Sequence, residues 1–223
     1  MRSHNRLRFH VRFVRRSISL PSDLADAIDQ AATAEGTTVS AWIAETAEHR
    51  LRIDAGRQGV AEWEGQHGAL TPDEPAGGLA RVRAMLRRQP SRKSARMNGV
   101  TYDTGALIAA DRNDRRMWAL HAGFLALDVS LTVPTPVLVE AWRGGPRQAS
   151  LARYLALCTT EPLTEDQAKA VGTLAARAGH DDIVDVTVVE GAIRPHDAVV
   201  TSDPTPHPQN RWRHAHVSPI ETI

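Results

Sequence analysis

Residues 99–114 read GVTYDTGALIAADRND, and the reading of this stretch decides the architecture of the C-terminal half. Val100 to Tyr102 make a short strand that runs straight into Asp103. Thr104 and Gly105 supply a turn, and Ala106, Leu107, Ile108 and Ala109 begin a helix. An acid at the C-terminal end of a parallel strand stands where open α/β sheets place their ligands.

The same grammar recurs downstream. In LTVPTPVLVEAW (131–142), Val133 ends a second strand, Pro134 and Pro136 suit the opening of a helix, and Glu140 lies one turn inside it. In GHDDIVDVTVVEGA (179–192), Asp182 and Asp185 are three apart and share a helix face. The β-branched Ile183, Val184, Val186, Val188 and Val189 suit a strand, but the acid spacing and the preceding Gly179 favour a helix with acids at its positive end. In DAVVTSDP (197–204), Asp197 and Ala198 open a strand that closes with Thr201, Ser202 and Asp203. Between Asp185 and Asp203 there is room for a helix, a turn and a return strand, so both acids can reach one sheet edge.

Four or five acids on one edge repel, at a few kcal/mol per pair near ~4 Å in a partly buried site. A divalent cation relieves that repulsion. Oxygen-only ligands suit Mg²⁺ or Mn²⁺ better than zinc, and such a cation polarises a phosphoryl oxygen and activates water for in-line attack.

This half resembles the PIN-domain ribonucleases, specifically toxins of the VapBC toxin–antitoxin type, through Tyr102-Asp103-Thr104-Gly105-Ala106-Leu107-Ile108, Glu140, Asp185 with Val188-Val189, and Thr201-Ser202-Asp203. The resemblance covers about residues 98 to 205. It implies a three-layer α/β fold with a parallel sheet, bound Mg²⁺ or Mn²⁺, and hydrolysis of RNA phosphodiesters. Asp103, Glu140, Asp185 and Asp203 would then be the catalytic, metal-binding acids. Thr201 would orient the site, and Asp182 would be either an additional metal-side acid or a helix cap.

Upstream, FVRRSISLP (13–21) alternates in parity. Val14, Ile18 and Leu20 fall on one face, with Arg16 as the exception, and Arg15, Ser17 and Ser19 on the other, as in a strand with one apolar side. Pro21 ends it, and Ser22 is placed to cap a helix carrying Leu24, Ile28 and Ala31. Gly36 stops that helix. Thr37, Thr38 and Ser40 offer the start of a second one through Trp42, Ile43, Ala47 and Leu51. So small a unit buries too little to fold alone, and a second copy pairing strand to strand would complete it. The exposed face of such a ribbon fits the DNA major groove. The stretch 12–52 resembles the ribbon-helix-helix family, a small α+β dimerisation domain. That family assigns base reading to the outward strand residues, here Arg15, Ser17 and Ser19.

Antitoxins of this family commonly partner PIN toxins, and here both sets of parts lie on one chain. The expected division is a DNA-binding domain at 1–52, an antitoxin tail and linker at 53–97, and the ribonuclease at 98–223. The middle stretch reads as polar and broken by Gly and Pro, with one helix near 77–89. It carries apolar anchors Val60, Trp63, Leu70, Leu79, Val82 and Leu86, with Arg81, Arg83 and Arg87 nearby. An arginine among the carboxylates would replace the cation's charge, so these three are the candidate inhibitory residues.

The composition fits this division. Of 223 residues 42% are hydrophobic but only 4% aromatic, so the cores must rest on Ala, Val and Leu. The net charge of +1 conceals two basic clusters, one in residues 1–16 without any acid and one from Arg81 to Arg96. Such asymmetry points to a polyanion or an acidic partner. The single Cys158 excludes a disulfide framework and a cysteine zinc site and reads as a buried small residue. No apolar run reaches the ~20 residues of a membrane helix, and the expected location is the cytoplasm. His180 reads as a turn residue and Trp212 as surface packing, while His214 and His216 lack a third ligand. The expected protein is a self-contained toxin–antitoxin: a metal-dependent endoribonuclease acting on RNA, restrained by a fused segment that also binds operator DNA as a homodimer or higher oligomer, with no membrane partner. The rival is a DNA-binding transcription regulator whose PIN half is inactive and serves assembly.

Overall fold

The computed structural model describes residues 14, 16–87, 99–145, 148–194, 197–202 and 220–222. The chain divides into two compact units, Met1–Ala47 and Glu48–Ile223. Among the described residues no helix is long and apolar enough to cross a membrane.

In the first unit, α1 (Ser22–Ala34) begins after Pro21. Ser22 lies inside the helix rather than capping it; Pro21 holds the cap position and makes no side-chain cap bond. Ile28 and Ala32 are its buried residues. Gly36 adopts φ +68°, and the Thr37 amide returns to Ala32 O at 2.9 Å, ending the helix as the sequence suggests. Thr38 Oγ1 accepts from Ala41 N at 3.2 Å and so caps α2 (Val39–His67). The described residues of the expected strand, Val14 and Arg16 to Leu20, form no β structure and are exposed. No β-ribbon forms among the described residues of this stretch, where the sequence suggested a strand; a strand is held by the ladder it makes with a neighbour, and residues 14 and 16–20 have none here.

The second correction concerns α2, which runs on to His67 where the sequence suggested a break after Leu51. Its glycines do not interrupt it because two of them are packing sites. A Cβ at Gly56 would lie 2.5 Å from a Leu125 methyl, and one at Gly59 3.3 Å from a Leu157 methyl.

The second unit is an α/β fold around a parallel sheet. Its strands are β1 (Gly99–Tyr102), β2 (Ser130–Pro134), β3 (Thr159–Glu161), β4 (Ala198–Thr201) and β5 (Ile220–Thr222). They are ordered β3-β2-β1-β4-β5, and all four pairings are parallel. β1 and β4 are buried at every position, as expected for strands covered on both faces.

The connections are α4 (Thr104–Asp111) and α5 (Arg115–Ala126), then α6 (Thr135–Ala141) and α7 (Ala149–Leu155), then α8 (Glu165–Ala178) and α9 (Ile183–Ile193). From β1 the chain steps outward to β2 and β3, then crosses back past β1 to β4. The reversal falls between β1 and β4, which is the crevice where open sheets bind ligands. α9 is a helix despite its β-branched run. Asp182 caps it, and Val186, Thr187, Val188, Val189, Gly191 and Ala192 are buried along it. Val188 and Ala192 join the main core, while Val186 and Val189 cluster with Val171 and Ala175 of α8.

The arm from Glu48 through α3 (Asp73–Arg87) belongs to this core: Ile53, Val60, Trp63, Val82 and Met85 share one buried cluster with Val100 and Val200. Trp63 stacks on Trp118 with ring centroids 4.9 Å apart and donates to Asn113 Oδ1 at 2.9 Å. Arg115 grips Glu74 with two hydrogen bonds of 2.7 and 2.8 Å, and its guanidinium lies 5.7 Å from the Trp63 ring. α3 crosses α5 at glycine. A Cβ at Gly78 would sit 2.6 Å from the Ala119 carbonyl carbon and closer still to its oxygen, and one at Gly123 would sit 2.9 Å from Gly78.

Candidate active site

Asp103 follows the last residue of β1 and caps α4. Its Oδ1 accepts from Ala106 N at 2.7 Å, and its own amide donates to Val200 O at 3.2 Å, tying it to β4. It is buried, at 6% exposure. In register Tyr102 faces Val200, so Thr201 and Ser202 run level with Asp103 and past it. Gly105 lets these two strand ends meet, because a Cβ there would fall 2.9 Å from Ser202 Oγ and 3.4 Å from Asp103 Oδ1. Thr201 is buried at the end of β4.

Glu140 arrives on α6, which Pro134 and Pro136 open as the sequence suggested. Its Oε2 accepts a 2.7 Å hydrogen bond from Thr104 Oγ1, the residue beside Asp103, although 36 positions separate donor and acceptor. Glu140 is thus tied to the residue that follows Asp103 in the chain.

A second group gathers at the start of α9. Asp182 Oδ1 accepts from Val184 N and Asp185 N at 3.0 and 3.1 Å, which commits that oxygen to capping. Asp185 Oδ2 lies 3.2 Å from His180 Nε2, and both side chains are partly buried. His180 is thus a partner of an acid as well as a loop residue. Asp103, His180, Asp185 and Thr201 also make interactions beyond these. α6 packs against both α4 and α9, so it links the two groups.

Asp203 lies outside the described residues, as do Arg15, Trp212, His214 and His216. Among the described residues no three of His, Cys, Asp and Glu gather closely enough to hold a metal ion. The chemistry of the donors still matches Mg²⁺ or Mn²⁺: apart from His180, the side chains at this edge offer carboxylate and hydroxyl oxygens.

Arg81, Arg83 and Arg87 are exposed on α3, and among the described residues no ion pair joins them to Asp103, Glu140 or Asp185. Ser17 and Ser19 are exposed. Cys158 is buried, and burial pushes its thiol pKa up, as a structural cysteine requires.

Sequence reasoning missed Thr104, Ser202 and His180 as contributors. A hydroxyl directly after a strand-end acid was the available signal for Thr104. Nothing local marked His180, because its partner is defined only once α9 has formed. No family model, curated protein or solved structure matches the chain.

Proposed function

We propose that the second unit is a Mg²⁺- or Mn²⁺-dependent endoribonuclease of the PIN type, a three-layer α/β domain, fused to its own antitoxin-like arm and DNA-binding unit. The observation that carries this reading is the placement of Asp103 at the β1/β4 switch point with Glu140 drawn to it through Thr104. Asp103, Glu140, Asp185 and Asp203 would hold the cation. When bound, it neutralises the acids and polarises the scissile phosphodiester. The chain's own contribution is positioning. Ala106 N fixes the Asp103 carboxylate, Thr104 fixes that of Glu140, and His180 fixes that of Asp185.

The arm supplies restraint in this reading through its docking on α5; among the described residues no ion pair joins Arg81, Arg83 or Arg87 to Asp103, Glu140 or Asp185. The first unit supplies DNA binding as a dimer. Val14, Ile18 and Leu24 are 62%, 59% and 46% exposed, apolar surface that a second copy would cover while the ribbon forms and turns Arg15, Ser17 and Ser19 outward.

The rival reading is a transcription regulator with an inactive PIN half. Calorimetric titration of Mn²⁺ into the full chain separates the two, with Asp103→Asn and Glu140→Gln as controls, followed by cleavage of a mixed RNA pool with Mg²⁺, Mn²⁺ or EDTA. The nuclease reading expects metal binding that both substitutions weaken at least tenfold, and cleavage that needs metal. A folded chain that binds no metal and cleaves no RNA, including after the arm is loosened, belongs to the regulator reading.

A further inference from the structure

Two residues beyond Glu140 the chain displays a tryptophan to solvent. Trp142 is 45% exposed at the C-terminal end of α6, and Val139, one turn earlier on the same face, is 73% exposed. A large aromatic left this open, on the element that carries a candidate catalytic acid, calls for a partner.

The segment carrying it is held rigidly. Gln148, itself buried, donates from Nε2 to Ala141 O at 2.9 Å and accepts at Oε1 from Arg143 N at 2.6 Å and Gly144 N at 2.8 Å. One buried amide therefore pins the backbone on both sides of Trp142, and the Trp142 amide itself donates to Leu138 O at 2.8 Å. The exposed indole does not depend on a mobile loop for its position. Arg143 is also exposed, its guanidinium resting on the Val139 and Trp142 carbonyls at 3.1 and 3.0 Å. Among the described residues no carboxylate forms an ion pair with it.

We infer that Trp142 and Arg143 form a subsite for single-stranded RNA, the indole stacking on an unpaired base and the guanidinium meeting a flanking phosphate. This rests on the nuclease reading above. An exposed aromatic on a fixed backbone beside a cation is one way proteins hold single strands without reading their sequence. A paired duplex keeps its bases stacked and cannot offer one to the indole, so the subsite selects for single strands. A second copy of this chain, the other occupant of an apolar patch, would leave the Arg143 charge without a purpose.

The test uses the full chain in EDTA, so that binding is read without cleavage. The probe is a fluorescein-labelled 12-nucleotide RNA of mixed sequence, used single-stranded and annealed to its complement. Wild type is compared with Trp142→Ala, Trp142→Phe and Arg143→Ala, and sedimentation velocity follows oligomeric state. Wild type should favour the single strand, Trp142→Ala should weaken it on the order of tenfold or more, and Trp142→Phe should stay within about threefold because a ring remains. Arg143→Ala should flatten the salt dependence. Equal affinities for wild type and Trp142→Ala overturn the inference, as does a Trp142→Ala that loses self-association with RNA affinity unchanged. Cleavage with metal is scored separately. A chain that holds single strands through Trp142 but cleaves with neither metal refutes the nuclease reading and leaves the subsite standing.

Discussion

Gly77 and Gly78 sit side by side in α3 in opposite circumstances, and alanine at each makes a matched pair. A Cβ at Gly77 meets nothing within 4 Å, whereas one at Gly78 lands 2.6 Å from the Ala119 carbonyl carbon on α5. Both replacements gain the same helix propensity, about 1 kcal/mol for Gly to Ala. Gly77→Ala should therefore stabilise by roughly 0.5–1 kcal/mol. For Gly78→Ala, ordinary contact requires α3 and α5 to part by about 1 Å at the crossing, and backbone rather than a flexible side chain must yield. A gap of that size forfeits about a quarter to a half of the local dispersion energy. Val82 and Met85, both fully buried, sit one turn and two turns along the same helix. A steric cost of about 2–4 kcal/mol is expected, leaving Gly78→Ala destabilised by about 1–3 kcal/mol net. Urea unfolding of the two variants beside wild type reads the difference directly. If Gly78→Ala proves as stable as Gly77→Ala, the close crossing of α3 on α5 is wrong, and with it the docked arm.

Asp197 is buried at the start of β4, 3.3 Å from the Thr101 hydroxyl, and burial raises its pKa from 3.8 to about 6. A folded pKa above the unfolded value means stability that is full below pH 3.8 and declines as pH rises through 6, so Asp197→Asn should stabilise the chain at pH 7 by up to about 2–3 kcal/mol and remove that slope in urea titrations between pH 4 and 7. Glu74 is the opposite case. The two hydrogen bonds from Arg115 lower its pKa from 4.5 to about 2, so its contribution is present above pH 4.5 and is lost as pH falls toward 2. Glu74→Gln should flatten acid unfolding in that window, and an unchanged acid limb would contradict the clasp. Cys158 should resist a thiol reagent such as dithionitrobenzoate in the native state and react at once in urea; prompt native reaction would contradict its burial.

The strand-end acid of β1, the proline-opened α6 and the helix behind Asp185 were legible because each is written in consecutive residues. Asp103 caps the helix it precedes, and Pro134 and Pro136 stand where only a helix opening tolerates them. What escaped was tertiary. Gly56 and Gly59 look like helix breakers until Leu125 and Leu157 arrive to fill the space. The alternation at 14–20 suggested a strand, and its described residues form none. The bond between Thr104 and Glu140 spans 36 positions, so the sequence suggested a shared edge but not the hydroxyl beside Asp103 that holds Glu140.

The order of synthesis gives the arm's burial a temporal meaning. Trp63 leaves the ribosome 55 residues before Trp118 (118 − 63), the ring it stacks on. At roughly 5–20 residues per second that is a wait of about 3–10 s with an apolar face uncovered. Once α5 has emerged the arm can close, whereas Glu140, Asp185 and Asp203 are still to be made. Nascent chains can therefore dock the arm before Glu140 and Asp185 have been synthesised, an order that the single chain imposes.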